Sequence, residues 1–310
     1  SWFNWALVAF AGYIGLYMAL NYIRIMEAGG DYSRMDYLAA GCGILLTLEA
    51  ARRVVGLPIV CLAAFFLVFC YFGAYFPGFM SHRGYSLERI ASHMFLTTEG
   101  ILGIPLGVAA TFIYLFILFG SFREKSGLGQ LFIDISNAVA GWASGGPAKV
   151  AVITSALEGT ISGSSVANTV GSGSFTIPLM KSLGYRAEFA GAVEASASTG
   201  GQIMPPVMGA AAFIMAEFLG IPYVKIALCA VLPALIHFFA VGWMVHLEAK
   251  KTGLHGLPKE MLPNLWLVLK ERWLLVGPLI IIVYLLITGS SPFLAAFWGI
   301  IFATATGQRG

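Results

Sequence analysis

The sequence predicts an all-α integral membrane protein, and three observations carry that prediction. Only 33 of the 310 residues are charged, 11% of the chain, while 58% are apolar. Soluble domains carry roughly 25% charged residues, so lipid must be the solvent for most of this surface. The apolar residues also gather in runs long enough to cross a bilayer. Finally, two of the long runs are interrupted in the middle by Gly, Ser and Pro. A net charge of +3 spread over membrane loops is no footprint for nucleic acid, and no such partner is expected.

Crossing about 30 Å of hydrocarbon at about 1.5 Å per residue takes about 20 apolar residues. Segments near 2–23, 36–51, 55–78, 101–121, 222–247 and 265–288 meet that requirement, and another begins near 293. The stretch Trp2 to Leu20 has no basic leader or small-residue cleavage site, so it reads as a retained span rather than a signal peptide. The chain opens at Ser1 and stops at Gly310 just after an apolar run, which reads as a piece of something longer. Between spans lie two candidates for helices flat at the interface. The first, 87–100, places Leu87, Ile90, Ala91, Met94 and Phe95 on one face; the second, within 126–145, places Leu128, Leu131, Phe132, Ile135, Val139 and Trp142 at helical spacing. Cys42, Cys61, Cys70 and Cys229 sit in apolar runs without C-x-x-C spacing and read as plain buried residues.

If residues 146–183 enter and leave on one side, that side collects Arg52, Arg53, Arg123, Lys125, Lys149, Lys181, Arg186, Lys250, Lys251, Lys259, Lys270, Arg272 and Arg309. The other side keeps Arg24, Arg34, Arg83, Arg89 and Lys225. Thirteen basic residues against five make the first side cytoplasmic by the positive-inside rule, with Ser1 on that side.

From Gly159 to Thr176 the sequence reads GTISGSSVANTVGSGSFT, with 13 of 18 residues Gly, Ser, Thr or Asn and no charge between Glu158 and Lys181. Such a run is too uncharged for a loop in water and too rich in Gly and local hydrogen bonders for a straight lipid-facing helix. A re-entrant hairpin resolves the conflict, with Pro147 to about Gly159 descending, a Gly/Ser tip at membrane depth, and Phe175 to Leu183 returning. The second segment repeats the idea. A helix over 187–197 runs into Ser198-Thr199-Gly200-Gly201-Gln202 and Pro205-Pro206 before a helix over 207–219, and proline forces the break. Broken helices expose carbonyls that suit Na⁺ and amides that attract a carboxylate, the way secondary transporters build sites at the midplane.

These residues resemble the large membrane subunit of TRAP transporters (tripartite ATP-independent periplasmic transporters) in the form fused to the small subunit. The resemblance runs from about Leu45 to Gly253, most specifically through EGTISGSSVANTVGSGSFTIPLMKSLGY (158–185) and EFAGAVEASASTGGQIMPPVMGAAAFIMAEFLGIPY (188–223). The GGQIMPP form, with LTTEGILGIPLGV upstream, is most similar to the branch served by TAXI-type periplasmic binding proteins. The resemblance implies a multi-span, elevator-type secondary transporter of the bacterial or archaeal cytoplasmic (inner) membrane. It would be driven by Na⁺, with no cofactor, and fed a small organic anion by the soluble binding protein.

On that resemblance, residues 1–35 are the end of the small-subunit part or a linker helix, and 36–125 are scaffold spans with the first arm helix. Residues 126–145 are the second arm, 146–220 half of the transport domain (hairpin 146–183, broken helix 187–220), and 221–310 the following spans. The family's second, inverted half is not in this sequence, so the remainder of the polypeptide is an implied partner. The expected cation ligands are Ser162, Gly163, Ser164 and Asn168 at the tip and Ser198, Thr199 and Gly200 at the break. Ser165, Asn168 and Gln202 are the candidates for touching substrate.

Glu158 and Glu194 stand just before the two breaks, and a carboxylate at bilayer depth usually faces a cavity or a partner. Countering cation charge, exchanging protons and plain structural hydrogen bonding all stay open for them. An intramembrane protease is disfavoured: Gly159-Thr160-Ile161-Ser162-Gly163 is one residue too long for G-x-S-G, paired membrane aspartates are missing and no H-E-x-x-H occurs. An ion channel or a non-transporting structural subunit are the remaining alternatives.

Overall fold

The computed structural model describes residues 2–307 except 126, 259 and 261, without the side chains of 123–125, 306 and 307. Lys259 and Arg309, and the side chains of Arg123 and Lys125, therefore lie outside the described residues. The structure is all-α, with no strand among the described residues. The chain divides into two compact units, Ser1–Gly107 and Val108–Gly310.

The first unit contains α1 (Trp2–Leu20), α2 (Tyr22–Glu27), α3 (Arg34–Val54), α4 (Leu57–Phe72) and α5 (Leu87–Ala91). Its core gathers Ile14, Ile25, Ala39, Ala40, Phe95 and Leu96. A fully buried Asp36 starts α3. It closes a capping box with Ser33 and accepts hydrogen bonds from Arg24 Nη2 at 2.6 Å, Arg24 Nη1 at 2.9 Å and Tyr17 Oη at 2.7 Å. The first flat helix is shorter than its apolar periodicity implies: α5 passes into a π turn over Ser92–Leu96, and only its end, at Phe95 and Leu96, is buried.

The second unit follows α6 (Ile104–Val108) and holds α7 (Tyr114–Lys125), α8 (Leu128–Ala140), α9 (Gly146–Ser162), α10 (Ser165–Gly171) and α11 (Gly173–Ser182). It continues with α12 (Ala187–Gly200), α13 (Ala210–Leu219), α14 (Tyr223–Thr252), α15 (Leu265–Arg272), α16 (Gly277–Ile287) and α17 (Pro292–Gly307). Along α8, Leu128, Leu131 and Phe132 are buried as its periodicity implies. Val139, in the last turn, and Trp142, beyond the helix end at Ala140, are exposed, so the buried stripe stops short of the predicted one.

Among the described residues four helices, Trp2–Leu20, Leu57–Tyr75, Ile104–Phe122 and Tyr223–Thr252, are long and apolar enough to cross a membrane. The segment 265–288 is not one span: α15 gives way to a 3₁₀ turn over Trp273–Val276 before α16, which carries Pro278 in its first turn. The cysteines are not buried either; Cys61 and Cys229 are exposed and Cys42 and Cys70 half-buried, all with free thiols. An apolar thiol on a span needs no protein neighbour where lipid supplies one.

Candidate functional site

Helix α9 ends at Gly163, whose φ is +58°. A Cβ there would lie 1.8 Å from the carbonyl oxygen of Met208, so both the backbone conformation and the close approach demand glycine. The chain turns over Gly163 and Ser164 alone and is helical again from Ser165. The return arm therefore begins ten residues before Phe175, where the sequence places it. The reason lies in the hydroxyls. Ser164 caps α10 by accepting from the Ala167 amide, Thr169 and Ser174 donate to carbonyls four and three residues back at 2.8 and 2.9 Å, and the Ser172 and Thr176 hydroxyls lie 2.8 and 3.0 Å from carbonyls four residues back. In water such groups compete with a helix; shielded from it, they bond to the helix.

The second break is longer. After α12 the chain winds through residues 201–209, where the amides of Gly201, Gln202 and Ile203 bond the carbonyls of Ser198, Thr199 and Gly200, each at 3.1 Å. Those carbonyls keep only their second lone pair for a ligand. The Gly209 amide closes the loop on the Gln202 carbonyl at 2.7 Å, past Met208 at φ 57°. Tip and break are pressed together. The Val207 amide donates to the Thr160 carbonyl at 3.3 Å, and Gln202 Nε2 donates to Ser165 Oγ at 3.0 Å. A Cβ on Gly159 would stand 2.4 Å from Gly201 Cα.

Asn168 sits at the centre of this contact, 1% exposed. Its Oδ1 accepts from the Ser162 hydroxyl, while its Nδ2 is buried without a hydrogen-bond partner, and a Cβ on Gly201 would come within 2.4 Å of it. The ends of a carboxamide exchange by rotation about one bond. With the amide turned over, Nδ2 donates to Ser162 and an oxygen faces the break. A cavity of about 430 Å³ is lined by Ser162, to which Asn168 is bonded, with Ser164, Gln202, Phe116, Met208 and Phe213.

Of the sequence-predicted residues, Ser162, Gly163, Ser164, Ser165, Asn168 and Gln202 thus converge. Three others point elsewhere. The Thr199 hydroxyl is spent on the Ala195 carbonyl at 2.7 Å, Gly200 lies against the His237 ring, where a Cβ would meet Cδ2 at 2.4 Å, and the Ser198 hydroxyl donates to Glu194 at 3.3 Å.

Glu194 is fully buried. It accepts from Ser172 Oγ at 2.6 Å, from Thr176 Oγ1, from Ser198 and from Ser155 Oγ at 3.5 Å. One carboxylate thereby ties α9 and α11 to α12. Ser155, Ser172 and Thr176 were not among the predicted residues, although Asn168, Ser172 and Thr176 fall four residues apart on one helical stripe. Glu158, also buried, occupies different surroundings, its two oxygens 3.6 and 3.8 Å from where a Cβ on Gly129 and on Gly171 would lie. The two carboxylates, equivalent in the sequence, face different neighbours.

A family model described as tripartite ATP-independent periplasmic transporter, DctM component, matches residues 42–308. A putative TRAP transporter large permease protein of Haemophilus influenzae is 28% identical over 168 residues, 54% of this chain and 39% of that protein. The C4-dicarboxylate TRAP transporter large permease protein DctM of Pseudomonas aeruginosa is 28% identical over 202 residues, 64% of this chain and 44% of that protein. The isethionate TRAP transporter permease protein DctMQ of Oleidesulfovibrio alaskensis is 27% identical over 223 residues, 69% of this chain and 33% of that protein. The chain thus spans less than half the length of these relatives.

Proposed function

The chain belongs to the DctM component family of tripartite ATP-independent periplasmic transporters, and from that premise we propose that it forms one half of a Na⁺-coupled carrier for a small organic anion. The carrier lies in the inner membrane, and the anion is a carboxylate handed over by a soluble periplasmic TAXI-type binding protein. The hairpin and broken helix move together as an elevator, completed by the rest of the polypeptide. Related permeases named for C4-dicarboxylate, isethionate and sialic acid support an organic anion as cargo.

The observation that carries the reading is Asn168, buried between the two breaks with one end of its amide unpartnered. An orphaned buried polar group costs about 1–3 kcal/mol. A cation held by the amide oxygen, the Ser162 hydroxyl and the second lone pairs of the break carbonyls removes that cost. These are hard oxygen donors without a formal charge, a set suited to a monovalent ion. Depth agrees. The base of α9 touches Ala249 through Gly145, and its 17 residues rise about 26 Å. Counted along α14 from Tyr223, about 30 Å of hydrocarbon ends near Trp243, so from Ala249 about 9 Å leads to that edge and about 15 Å more to the middle, about 24 Å in all.

The test is uptake by the complete protein in proteoliposomes with its binding protein. Asn168→Ala should raise the Na⁺ concentration for half-maximal uptake about tenfold, equivalent to about 1.4 kcal/mol of lost cation binding. An unshifted Na⁺ dependence at normal expression removes Asn168 from the cation site.

A further inference from the structure

Far from the helix breaks, three basic groups converge at the base of the hairpin. Lys149, near the start of α9, holds its Nζ 3.0 Å from His246 Nδ1 on α14, and Lys250, four residues after His246 on the same face of α14, places its charge beside both. An ammonium has only donors, so His246 accepts through Nδ1 and presents its Nε2–H as a further donor. The arrangement is rigid, because Val245 and Ala249 are buried and a Cβ on Gly145 would press within 2.6 Å of Ala249 Cβ.

Among the described residues no carboxylate answers this charge. Glu248 stands 4.0 Å from Lys251. The Tyr185 phenol, pushed up to about 12 by burial and then by the Glu248 carboxylate, stays neutral. Glu194, on the neighbouring α12, is engaged by its four hydroxyls.

The depth of the cluster identifies what can answer it. The 30 residues of α14 extend about 45 Å, while hydrocarbon is about 30 Å thick. Counted from Tyr223, the hydrocarbon ends near Trp243, which is 53% exposed, as expected of an interfacial aromatic, with its ring centroid 5.7 Å from that of His246 and tilted 42° to it. His246 and Lys250 then lie at the level of lipid phosphates. We infer that Lys149, His246 and Lys250 form a binding site for the phosphodiester headgroup of an anionic phospholipid, with Trp243 against its glycerol and upper acyl carbons. A bound lipid would brace the hairpin base against α14.

Native mass spectrometry of the complete protein, released from phosphatidylcholine nanodiscs doped with phosphatidylglycerol, tests this. The unmodified protein should retain phosphatidylglycerol in preference to phosphatidylcholine, and the double variant Lys149→Gln, Lys250→Gln should retain about tenfold less of it. Equal retention of both lipids by the unmodified protein overturns the site without recourse to a variant. Undiminished retention by the double variant overturns it as well. A second arm in detergent adds inorganic phosphate alone. If millimolar phosphate displaces the lipid and raises the melting temperature as much as the lipid does, the site serves a soluble anion and the lipid assignment fails.

Discussion

Glu194 is fully buried inside a membrane domain, with hydroxyls of Ser155, Ser172, Thr176 and Ser198 around its carboxyl group. These four hydroxyls take the place of water around a buried polar group that would be costly to leave unpaired. Two of the donors are buffered against its loss. Ser172 and Thr176 also lie within 2.8 and 3.0 Å of carbonyls on their own helix and can turn back to them. Glu194→Gln, which keeps the volume and one acceptor, should therefore cost about 1 kcal/mol, and Glu194→Ala about 3 kcal/mol, from the cavity and from Ser155 and Ser198 left without their acceptor. Thermal unfolding in detergent should rank wild type above Gln above Ala. Equal melting of all three would mean that the network does not hold α9 and α11 to α12.

At the scale of elements, Ser164 has two roles that one substitution confuses: it caps α10 and lines the cavity. Ser→Ala at a cap costs about 1 kcal/mol, while Ser→Gly costs only a few tenths. Neither replacement leaves an oxygen on the side chain. If the hydroxyl is a cation ligand, Ser164→Gly and Ser164→Ala should weaken Na⁺ dependence of uptake equally; if only the cap matters, Gly should behave nearly as wild type. Four of the spans and the existence of both breaks were legible in the sequence because length, apolarity and Pro/Gly punctuation act locally. The extent of the return arm was not, because Ser and Thr weaken helices in water yet here bond the helix itself. Nor could sequence reveal that the break carbonyls of Ser198 to Gly200 are taken up by the next three amides, or that Met208 meets Gly163. The first is a local backbone turn with no fixed residue signature, and the second joins residues 45 positions apart in the chain.

At the scale of the molecule, topology follows from which ends of the second unit meet. A Cβ on Gly145, at the entry to the hairpin, would stand 2.6 Å from Ala249 Cβ and 2.8 Å from the hydroxyl of Tyr185, just past its exit. Both ends of the hairpin therefore lie beside the last turn of α14, and the hairpin is re-entrant rather than a crossing. The same end collects Lys149, Lys181, Arg186, Lys250 and Lys251, while the start of α14 carries Lys225 alone. A positive-inside bias must orient that helix with residue 251 in the cytoplasm. A membrane-impermeant thiol reagent applied from the periplasm should label Lys225→Cys and spare Lys251→Cys, with native cysteines replaced. Labelling at 251 alone would invert the chain, and with it the side from which the hairpin tip is reached.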